Sequence, residues 1–274
     1  MINKLFELTN RVAIITGGAG MLGRIHAAVI AEAGGWPVIA DVNGEQATAV
    51  AGGISEKYGV KSLGVKTDIT ERSDVERLAQ RVLEEMGRID ILINNAANNP
   101  VVKKDGDNLA VRFEDFTLEQ WNEDISVGLT GAFLCSQVIG KEMAKRGGGV
   151  ILNISSDLGV IAPDQRLYAQ EGLSPENQPV KPVTYSVVKH GIIGLTKYLA
   201  TYWADHNIRA NTLSPGGVYA GQGKEFLEKI RARIPMGRMA EKDEYKGAVL
   251  FLVSDASSYM TGANLIIDGG RTCW

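Results

Sequence analysis

Short apolar runs rich in β-branched residues alternate with longer amphipathic stretches along almost the whole chain. Gly, Asn or Asp bounds most of these runs, which is typical of buried parallel strands joined by helices. The alternation predicts a doubly wound α/β fold, in which helices cover both faces of a seven-stranded parallel sheet (a Rossmann fold). We predict strands at Val12–Thr16, Val38–Asp41, Ser62–Lys66, Ile89–Asn94, Val150–Ser155, Ile208–Leu213 and Asn264–Ile267. We predict helices at Met21–Ala33, Glu45–Tyr58, Glu71–Met86, Leu118–Lys145, Thr184–His206 and Lys242–Ser254.

The size of the chain fits a single domain over residues 1–274. Its 274 residues, 45% of them hydrophobic, can bury a large core. A formal net charge of −3 and dispersed Lys and Arg residues give no basic surface, so nucleic acid is not an expected partner. The amino-terminal residues do not have the long apolar core of a signal peptide, and no apolar run approaches the length of a membrane span. We expect a soluble cytoplasmic protein that does not bind membranes.

The composition also argues against a bound metal. Cys135 and Cys273 are the only cysteines, too few for a disulfide framework or a thiolate metal site. The three histidines, His26, His190 and His206, are scattered in the sequence and do not suggest a ligand set. We therefore expect no metal site.

The first predicted strand leads into a glycine-rich turn that opens the first helix. Gly17, Gly20 and Gly23 lie in this segment, together with Met21 and Leu22. Glycine allows a sharp turn and lets a pyrophosphate approach the free N–H groups of a helix N-terminus. A glycine turn between a strand and a helix is typical of dinucleotide-binding sites, although tight turns also use glycine for structure alone.

A carboxylate at the end of the second predicted strand supports a dinucleotide site. Asp41 follows Gly23 by eighteen residues, about the spacing at which a carboxylate accepts hydrogen bonds from the adenosine ribose hydroxyls. It would repel a 2′-phosphate, and no Arg immediately follows it, so NAD(H) is predicted rather than NADP(H). The alternative role of Asp41 is a helix cap or turn former before Asn43 and Gly44.

A tyrosine and a lysine four residues apart predict redox chemistry on an alcohol or a ketone. Tyr185 and Lys189 would lie on one face of a helix that begins at Thr184, a suitable cap. A phenol has a pKa of about 10, and a neighbouring cation lowers it. Tyr185 could then exchange a proton with a substrate oxygen while a cofactor moves hydride. Tyr168 is a poorer candidate because Gly172 stands four residues after it, and the alternative for Lys189 is a solvent-facing side chain.

Further short motifs follow in a fixed order. They are Thr67-Asp68-Ile69-Thr70, Asn94-Asn95-Ala96-Ala97, Asn153-Ile154-Ser155-Ser156, Tyr185 with Lys189, Asn211 with Pro215 and Gly216, and Asp268-Gly269-Gly270. Together with the glycine turn, this ordered set resembles the short-chain dehydrogenase/reductase family over nearly the whole chain, from Arg11 to Gly270. The resemblance implies an NAD(P)-dependent enzyme that acts on CH–OH groups.

The resemblance also implies roles for individual residues. Ser156, Tyr185 and Lys189 would be catalytic, with Ser156 bonded to the substrate oxygen and Ser155 as the second candidate for that role. Lys189 would bind the nicotinamide ribose and lower the pKa of Tyr185. The implied cofactor-binding residues are Gly17, Gly20, Met21, Leu22, Asp41, Asp68, Ile69, Asn95, Ala96, Tyr185, Lys189, Pro215, Gly216 and Val218.

Two positions depart from the pattern that is common in the family. Met21 stands where members of this length usually have glycine, and the glycine spacing is similar to that of longer relatives acting on nucleotide sugars. Gly128 stands where many members have an asparagine that completes a catalytic tetrad through a water near the lysine. Either another polar group such as Ser126 replaces that asparagine, or the proton relay is shorter.

Two segments, residues 98–116 and 157–183, are longer than a connection needs, and we expect them to form walls of the substrate site. Their polar side chains favour a sugar, polyol or sugar derivative over an apolar ligand, although exposed loops are polar whatever they bind. The loops also resemble those of relatives from surface-glycan and flagellin-modification pathways. The polar residues are Asn98, Asn99, Lys103, Lys104, Asp105, Arg112, Asp164, Gln165, Arg166, Gln170, Glu171, Asn177, Gln178 and Lys181.

Three functions follow as alternatives. The first is an NAD(H)-dependent alcohol/ketone oxidoreductase of carbohydrate metabolism. The second is a nucleotide-sugar epimerase or dehydratase, which the glycine spacing favours and the short region after Leu213 disfavours. The third is an NAD-binding sensor without turnover, which only Gly128 favours.

The resemblance further implies a homodimer or homotetramer. Its subunits would pair through the two long helices that carry Trp121, Phe133, Tyr198, Tyr202 and Trp203. The carboxyl-terminal residues, Arg271 to Trp274, could reach a neighbour's site or pack on their own chain.

Overall fold

The computed structural model describes residues 2–98 and 112–274. Within them, seven parallel strands form one sheet in the order β3-β2-β1-β4-β5-β6-β7, which confirms the predicted doubly wound α/β fold. The strands are β1 (Val12–Thr16), β2 (Trp36–Asp41), β3 (Leu63–Lys66), β4 (Ile91–Asn94), β5 (Gly149–Ile154), β6 (Ile208–Pro215) and β7 (Asn264–Ile267). The α-helices are α1 (Ile2–Leu5), α2 (Met21–Glu32), α3 (Gly44–Tyr58), α4 (Arg72–Met86), α5 (Leu118–Ile125), α6 (Gly131–Lys145), α7 (Val183–Tyr202), α8 (Lys224–Arg231) and α9 (Lys246–Val253).

Each face of the sheet is covered by helices. Strand β1 is buried along its whole length. Ala13 and Ile15 belong to the core beneath α2, α3 and α9, whereas Val12 and Ile14 belong to the core beneath α4, α6 and α7. A strand buried on both faces needs apolar residues at every position, which explains the continuous apolar runs in the sequence.

The strand order reverses between β1 and β4, and this reversal positions the functional site. The chain moves outward from β1 to β3 and then returns to form β4 on the other side of β1. The segments that follow β1 and β4 therefore diverge and leave a crevice at the carboxyl edge of the sheet, where ligands bind in open α/β sheets.

The predicted helix Leu118–Lys145 is interrupted. A π-helical turn, Ser126–Thr130, separates α5 from α6. A Cβ on Gly128 would lie 2.5 Å from Cγ1 of Val188 in α7, so the Val188 side chain would have to shift to make room for a side chain at position 128. Single π-helical turns inside α-helices occur frequently at functional sites.

Two details of the carboxyl-terminal half differ from prediction. The amphipathic helix α8 was not predicted, although Phe226, Leu227 and Ile230 have helical spacing; they pack against Leu167 of the second long segment. Helix α7 begins at Val183 rather than Thr184, and the predicted cap is wrong. The Thr184 hydroxyl instead donates a hydrogen bond to the buried carboxylate of Asp124.

No helix within the described residues is both long and apolar enough to cross a membrane. The same parts of the chain hold no group of three or more His, Cys, Asp or Glu side chains placed to bind a metal ion. The short helix α1 lies at the surface, where Ile2 and Leu5 are exposed.

Candidate active site

A cleft of about 1280 Å³ opens at the carboxyl edge of the sheet. Every residue predicted from the sequence to bind the cofactor or to act in catalysis lines it. They are Gly17, Gly20, Met21, Leu22, Asp41, Asp68, Ile69, Asn95, Ala96, Ser156, Tyr185, Lys189, Pro215, Gly216 and Val218. The fold thus brings residues that are far apart in the sequence around one cavity.

The glycine-rich turn after β1 is shaped by close backbone contacts. Gly17 has a φ of +59°, which L side chains rarely adopt, and a Cβ on Gly23 would lie 2.3 Å from the Gly17 carbonyl oxygen. Among the residues that the structure describes, no side chain caps the first turn of α2, whose N-cap is Gly20 and whose residues Met21 and Leu22 line the cleft. Uncapped N–H groups at a helix N-terminus bind anions well, so this turn fits the pyrophosphate of a dinucleotide.

Asp41 lies at the end of β2 with its carboxylate against the glycine turn. Its Oδ2 accepts a hydrogen bond from the Ala19 N–H at 3.0 Å, and its Oδ1 accepts one from the Asn43 N–H at 3.0 Å. The side-chain cap of α3 is Asn43, whose Oδ1 accepts a bond from the Gln46 N–H. The alternative of Asp41 as the helix cap is therefore wrong, whereas its turn-forming contact with Asn43 coexists with its place on the cleft wall.

Hydrogen bonds between the ends of β1 and β4 fix the floor of the cleft. Thr16 Oγ1 accepts bonds from the N–H groups of Asn95 and Ala96 at 3.0 and 3.1 Å. The Asn95 side-chain amide donates to the carbonyl groups of Thr16 and Gly17 at 3.0 and 3.1 Å. Asn95 and Ala96 thus hold the glycine turn against the central strands.

Asp68 and Ile69 form the side of the cleft beyond β3. Asp68 Oδ1 accepts hydrogen bonds from the backbone N–H and the hydroxyl of Thr70, at 2.9 and 2.6 Å. This local bonding shapes the turn, while the buried Ile69 side chain packs against Gly131 at the start of α6.

The opposite side of the cleft follows β6. Pro215 ends this strand, and the Gly216 N–H donates to the Ile267 carbonyl at 2.8 Å. The Tyr245 hydroxyl donates to the Gly216 carbonyl at 3.0 Å, and Val218 pairs with Ala240 in an isolated bridge. The backbone that would face a nicotinamide is therefore held by bonds on both sides.

Ser156, Tyr185 and Lys189 come together on one wall of the cleft. Ser156 follows β5, and the other two residues are one turn apart in α7. Lys189 is 5% exposed; its Nζ donates to the Ile154 carbonyl at 3.0 Å and lies 5.8 Å from the centroid of the Tyr185 ring. The Ser156 hydroxyl lies near enough to Tyr185 to lower the pKa of the phenol. A hydroxyl, a phenol and an amine are thus placed to act on one bound group.

The neighbouring serine, Ser155, has a different role in the geometry. Its buried hydroxyl donates to the Lys189 carbonyl at 2.7 Å, which fastens α7 to the end of β5. The Ser155 proton is thus committed to a backbone carbonyl that joins two elements, whereas the Ser156 hydroxyl donates to the neighbouring Asp157 side chain at 2.8 Å and lies beside Tyr185. The geometry favours Ser156 as the serine that contacts the substrate oxygen.

Burial governs the pKa values of the catalytic pair. Desolvation raises the pKa of Tyr185, with the charge of Asp157 acting in the same direction, and the nearby Ser156 hydroxyl and the charge of Arg271 counteract this rise only in part. Desolvation also lowers the pKa of Lys189 to about 8, with repulsion from Lys181 acting in the same direction. The prediction that Lys189 brings the Tyr185 pKa below its ordinary value is wrong for the structure, because desolvation of the phenol outweighs the lowering contributions.

Helix α7 is held to the sheet by a buried chain of polar side chains. Asn94 donates to Asn153 at 2.8 Å, and Asn153 donates to Thr196 of α7 at 2.8 Å. Thr212 of β6 also donates to Thr196, at 2.7 Å. These bonds join β4, β5 and β6 to the helix that carries Tyr185 and Lys189, and so fix its position over the sheet.

Three charged residues beside the catalytic group were not assigned to it from the sequence. Lys181 Nζ lies 3.9 Å from the centroid of the Tyr185 ring, and burial lowers the pKa of this lysine to about 8. Asp157 and Arg271 form a buried ion pair of 2.6 Å. The one local feature of the sequence that could have indicated these contacts is the acidic residue directly after Ser156, which is Asp157. Arg271 thus packs on its own chain, whereas Trp274 at the terminus is exposed.

Gly128 does not line the cleft, because its position is closed off by Val188. Ser126, at the start of the π-helical turn, does line it. A polar group is therefore present in this element, and the replacement of the family's asparagine by Ser126 stays a prediction.

Most polar residues of the second long segment hold that segment together. Gln178 donates to the carbonyls of Gln170 and Leu173 at 3.0 and 2.7 Å, and Asp164 is paired with Arg166 and Arg233. Both long segments were predicted to present polar residues to the substrate. Of those residues that the structure describes, Asn98, Gln170 and Lys181 line the cleft. The expectation that these segments present a mainly polar wall is therefore only partly met.

Apolar side chains complete the wall on this side. Leu167, Tyr168, Phe226, Ile230 and Met239 pack together and line the cleft, with the Tyr168 and Phe226 rings 5.9 Å apart. Burial raises the pKa of Tyr168 to about 12, which suits a packing role. Of the first segment, Asn99, Lys103, Lys104 and Asp105 lie outside the described residues. Its Arg112 donates to the Pro175 carbonyl at 3.2 Å and so joins the two segments.

Two family models match most of the sequence. The model described as short chain dehydrogenase matches residues 11–169. The model described as Enoyl-(Acyl carrier protein) reductase matches residues 173–272. Between them they include all the cleft residues predicted from the sequence.

Named relatives are similar to the chain over its whole length. It is 35% identical to the NAD-dependent glycerol dehydrogenase of Listeria innocua, an alignment covering 98% of the chain and 97% of the relative. It is 37% identical to the NADP-dependent mannitol dehydrogenase of Alternaria alternata, with 98% and 95% covered. A gluconate 5-dehydrogenase from Burkholderia cenocepacia, solved in complex with NADP and tartrate, superposes with a TM-score of 0.87 at 29% identity and full coverage of both chains. The relatives thus include enzymes that depend on either nicotinamide cofactor.

Proposed function

Because the chain belongs to the short-chain dehydrogenase/reductase family, we propose that it is an NAD(H)-dependent oxidoreductase that interconverts a secondary alcohol and a ketone of a polyol, a sugar or a sugar derivative. The observation that carries this proposal is the convergence of Ser156, Tyr185 and Lys189 on the cleft that also contains the glycine turn and Asp41. The names of the relatives, a glycerol and a mannitol dehydrogenase among them, support a polyhydroxylated substrate.

The wall of the cleft that carries Ser156, Tyr185 and Lys189 supplies the proton transfer that such a reaction needs. A bound nicotinamide supplies the hydride acceptor or donor at the substrate carbon. During oxidation, Tyr185 takes the proton that the alcohol oxygen loses; during reduction it returns that proton. Ser156 hydrogen-bonds the same oxygen and stabilises the negative charge that develops on it. The Lys181 and Lys189 amines lie 3.9 and 5.8 Å from the centroid of the Tyr185 ring, where their positive charge would counteract the desolvation that raises the pKa of the phenol.

The choice of NAD(H) over NADP(H) follows from Asp41. Its carboxylate is fixed at the end of β2 by the N–H groups of Ala19 and Asn43, so it cannot easily turn away from a 2′-phosphate. We expect Asp41→Ser to weaken NAD⁺ binding by about tenfold and to strengthen NADP⁺ binding, because a hydrogen-bonded carboxylate and its repulsion are both removed. The measurement is the Kd of each cofactor by quenching of Trp fluorescence. Glu45→Gln, an exposed acid in the first turn of α3, is the control, and a wild-type preference for NADP⁺ would refute the assignment.

The substrate class is tested by turnover. Reduced nicotinamide is followed by absorbance while NAD⁺ is offered with glycerol, tetritols, hexitols and aldonates, and NADH with steroid and acyl ketones. We expect oxidation of one or more polyhydroxylated compounds. Turnover restricted to the apolar ketones would exclude the polyol assignment, and cofactor binding without any turnover would favour the sensor.

We also propose that the protein forms a homodimer or homotetramer through α6 and α7. The stacked rings of Tyr198 and Tyr202 are each 61% exposed, and Phe133 of α6 is also exposed. Aromatic side chains of this kind are enriched in protein interfaces. The double variant Tyr198→Glu/Tyr202→Glu should lower the mass measured by light scattering, whereas Tyr259→Glu, a fully exposed tyrosine elsewhere, should not. An unchanged mass in the double variant would place the contact on another face.

A further inference from the structure

We propose that Asp157 and Arg271 are positioning residues that hold the Ser156 hydroxyl for the reaction, so that the carboxyl-terminal segment takes part in catalysis. This inference rests on the proposed oxidoreductase function. It adds two residues that touch neither of the reacting atoms and act through Ser156.

The three side chains form a continuous chain of contacts on the cleft wall. An Arg271 guanidinium N–H donates to Asp157 Oδ2 at 2.6 Å. The Ser156 hydroxyl donates to Asp157 Oδ1 at 2.8 Å, and the Leu158 N–H donates to the same oxygen at 2.8 Å. The side chains of Arg271 and Asp157 are 9% and 4% exposed. Both carboxylate oxygens therefore have partners, and the charge pair is shielded from water.

The protein builds this contact through a tightly bonded turn after β7. Asp268 accepts hydrogen bonds from the N–H groups of Gly270 and Thr272 at 2.9 and 2.7 Å. Gly270 has a φ of +90°, and a Cβ on it would lie 2.8 Å from the Pro235 ring. The turn brings Arg271 back over the cleft, so its position does not depend on a loose chain end.

The pair controls where the single proton of Ser156 points. While the Ser156 hydroxyl donates its hydrogen bond to Asp157, the rotamer of Ser156 is fixed. The lone pairs of its oxygen are then available to Tyr185 and to a substrate hydroxyl. To stabilise a substrate oxygen, Ser156 must turn the proton away from Asp157. The positive charge of Arg271 weakens the pull of Asp157 on that proton, and burial makes the effect large because the local dielectric is low.

The pair also acts on Tyr185 with opposite signs. The charged and hydrogen-bonding groups around the phenol are Ser156, Asp157, Lys181, Lys189 and Arg271. The negative charge of Asp157 raises the pKa of Tyr185, and the positive charge of Arg271 lowers it. Removing Arg271 should therefore raise that pKa, and removing the charge of Asp157 should lower it. An ion pair too far from the phenol to act on it would leave that pKa unchanged.

The test uses four variants of the full-length protein: Arg271→Gln, Arg271→Lys, Asp157→Asn and the double variant Asp157→Asn/Arg271→Gln. Thermal unfolding and the kcat and KM for a polyol with NAD⁺ are measured for each. The Tyr185 pKa is obtained without substrate from tyrosinate absorbance, as the difference from the same protein carrying Tyr185→Phe. Arg11→Gln is the matched control, because Arg11 makes a single 2.6 Å contact with Asp255 at the opposite edge of the sheet.

We expect Arg271→Gln to lower kcat by about tenfold or more, the effect of a lost hydrogen bond to a charged group, with a smaller change in KM. Arg271→Lys should recover part of kcat. The double variant leaves no unpaired buried charge, so its Tm should return toward that of the wild type while its kcat stays low. The Tyr185 pKa should rise in Arg271→Gln and fall in Asp157→Asn, and Arg11→Gln should leave kcat and this pKa unchanged.

The proposal is overturned if kcat of the double variant recovers together with its Tm, since the pair would then only support the fold. It is also overturned if the two single variants shift the Tyr185 pKa in the same direction or not at all. The titration needs no turnover. If the wild-type protein oxidises no alcohol, the proposed function fails while the titration still decides whether the pair acts on the Ser156–Tyr185 group.

Discussion

Around the glycine turn the cleft is walled by backbone, whereas the opposite side is walled by side chains from the second long segment, α8 and the carboxyl terminus. On the first side, Gly17 and Gly23 leave no room for a Cβ, and Asp41 is held by backbone N–H groups. On the second side, Asp164 is bonded to two arginines, and Arg271 to Asp157. A backbone wall suits a cofactor that many enzymes share, and a side-chain wall can change with the substrate.

The substitution Tyr185→Phe should distinguish the two sides of the cleft most clearly, because it should affect turnover far more than cofactor binding. Loss of the phenolic proton should lower kcat by about a thousandfold, within the range for a general acid or base. The Kd for NAD⁺ should change little, because the glycine turn and Asp41 are untouched. Steady-state kinetics and fluorescence titration measure the two quantities. A variant that loses cofactor affinity and turnover together would show that the sides are not independent.

The backbone wall is tested by Gly23→Ala. The new Cβ would lie 2.3 Å from the Gly17 carbonyl oxygen, so we expect a loss of about 3 kcal/mol in the free energy of unfolding and weaker NAD⁺ binding. The control is Gly52→Ala in α3, where a Cβ meets nothing within 4 Å; this change should stabilise by about 0.5–1 kcal/mol. Chemical denaturation gives both values. Equal effects of the two substitutions would contradict the tight packing of the turn.

A buried histidine beneath the glycine turn should make the free energy of unfolding depend on pH. His26 of α2 is 1% exposed, and burial lowers its pKa from 6.5 to about 4, with the Asn95 side chain counteracting this shift only in part. Below pH 6.5 the unfolded chain binds a proton that the folded chain does not, so stability falls as the pH falls toward 4. At pH 5 the loss is about 2 kcal/mol. Denaturation curves from pH 7 to pH 4 should show it.

His26→Leu should flatten that decline, because the residue no longer titrates. His206→Leu is the control, since His206 is exposed, and its curve should run parallel to that of the wild type. A decline that persists unchanged in His26→Leu would assign the acid sensitivity to another group.

We expect the smallest effect from a substitution of Asp164, whose ion pairs near the surface hold the second long segment in place. Arg166 and Arg233 hold the pKa of Asp164 well below its usual range. Asp164→Asn should weaken these partly exposed pairs by about 1 kcal/mol, loosen the second segment and raise KM for the substrate a few-fold. Glu171→Gln in the same segment is the control. The Kd for NAD⁺ should stay constant, and a change in it would mean that the two walls are coupled.

Local patterns explain how much could be predicted. Strand positions followed from apolar runs, and the Tyr185–Lys189 pair followed from helical spacing, because both depend on residues close in sequence. The π-helical turn at Ser126–Thr130 packs against Val188 of α7, and helix α8 packs against Leu167 of the second long segment, each partner being distant in the sequence. Contacts of this kind have no signature in a short window of sequence.

By itself, the sequence determined the family, the seven-stranded α/β fold and the candidate cofactor-binding and catalytic residues that the cleft brings together, since each rests on motif order and periodicity. Only the tertiary structure distinguished the two serines, because Ser155 is bonded to the Lys189 carbonyl whereas Ser156 lies beside Asp157 and Tyr185. It alone placed Arg271 against Asp157 and showed that desolvation raises the pKa of Tyr185. Burial and long-range contact set these properties, and both arise only when distant segments of the chain pack together.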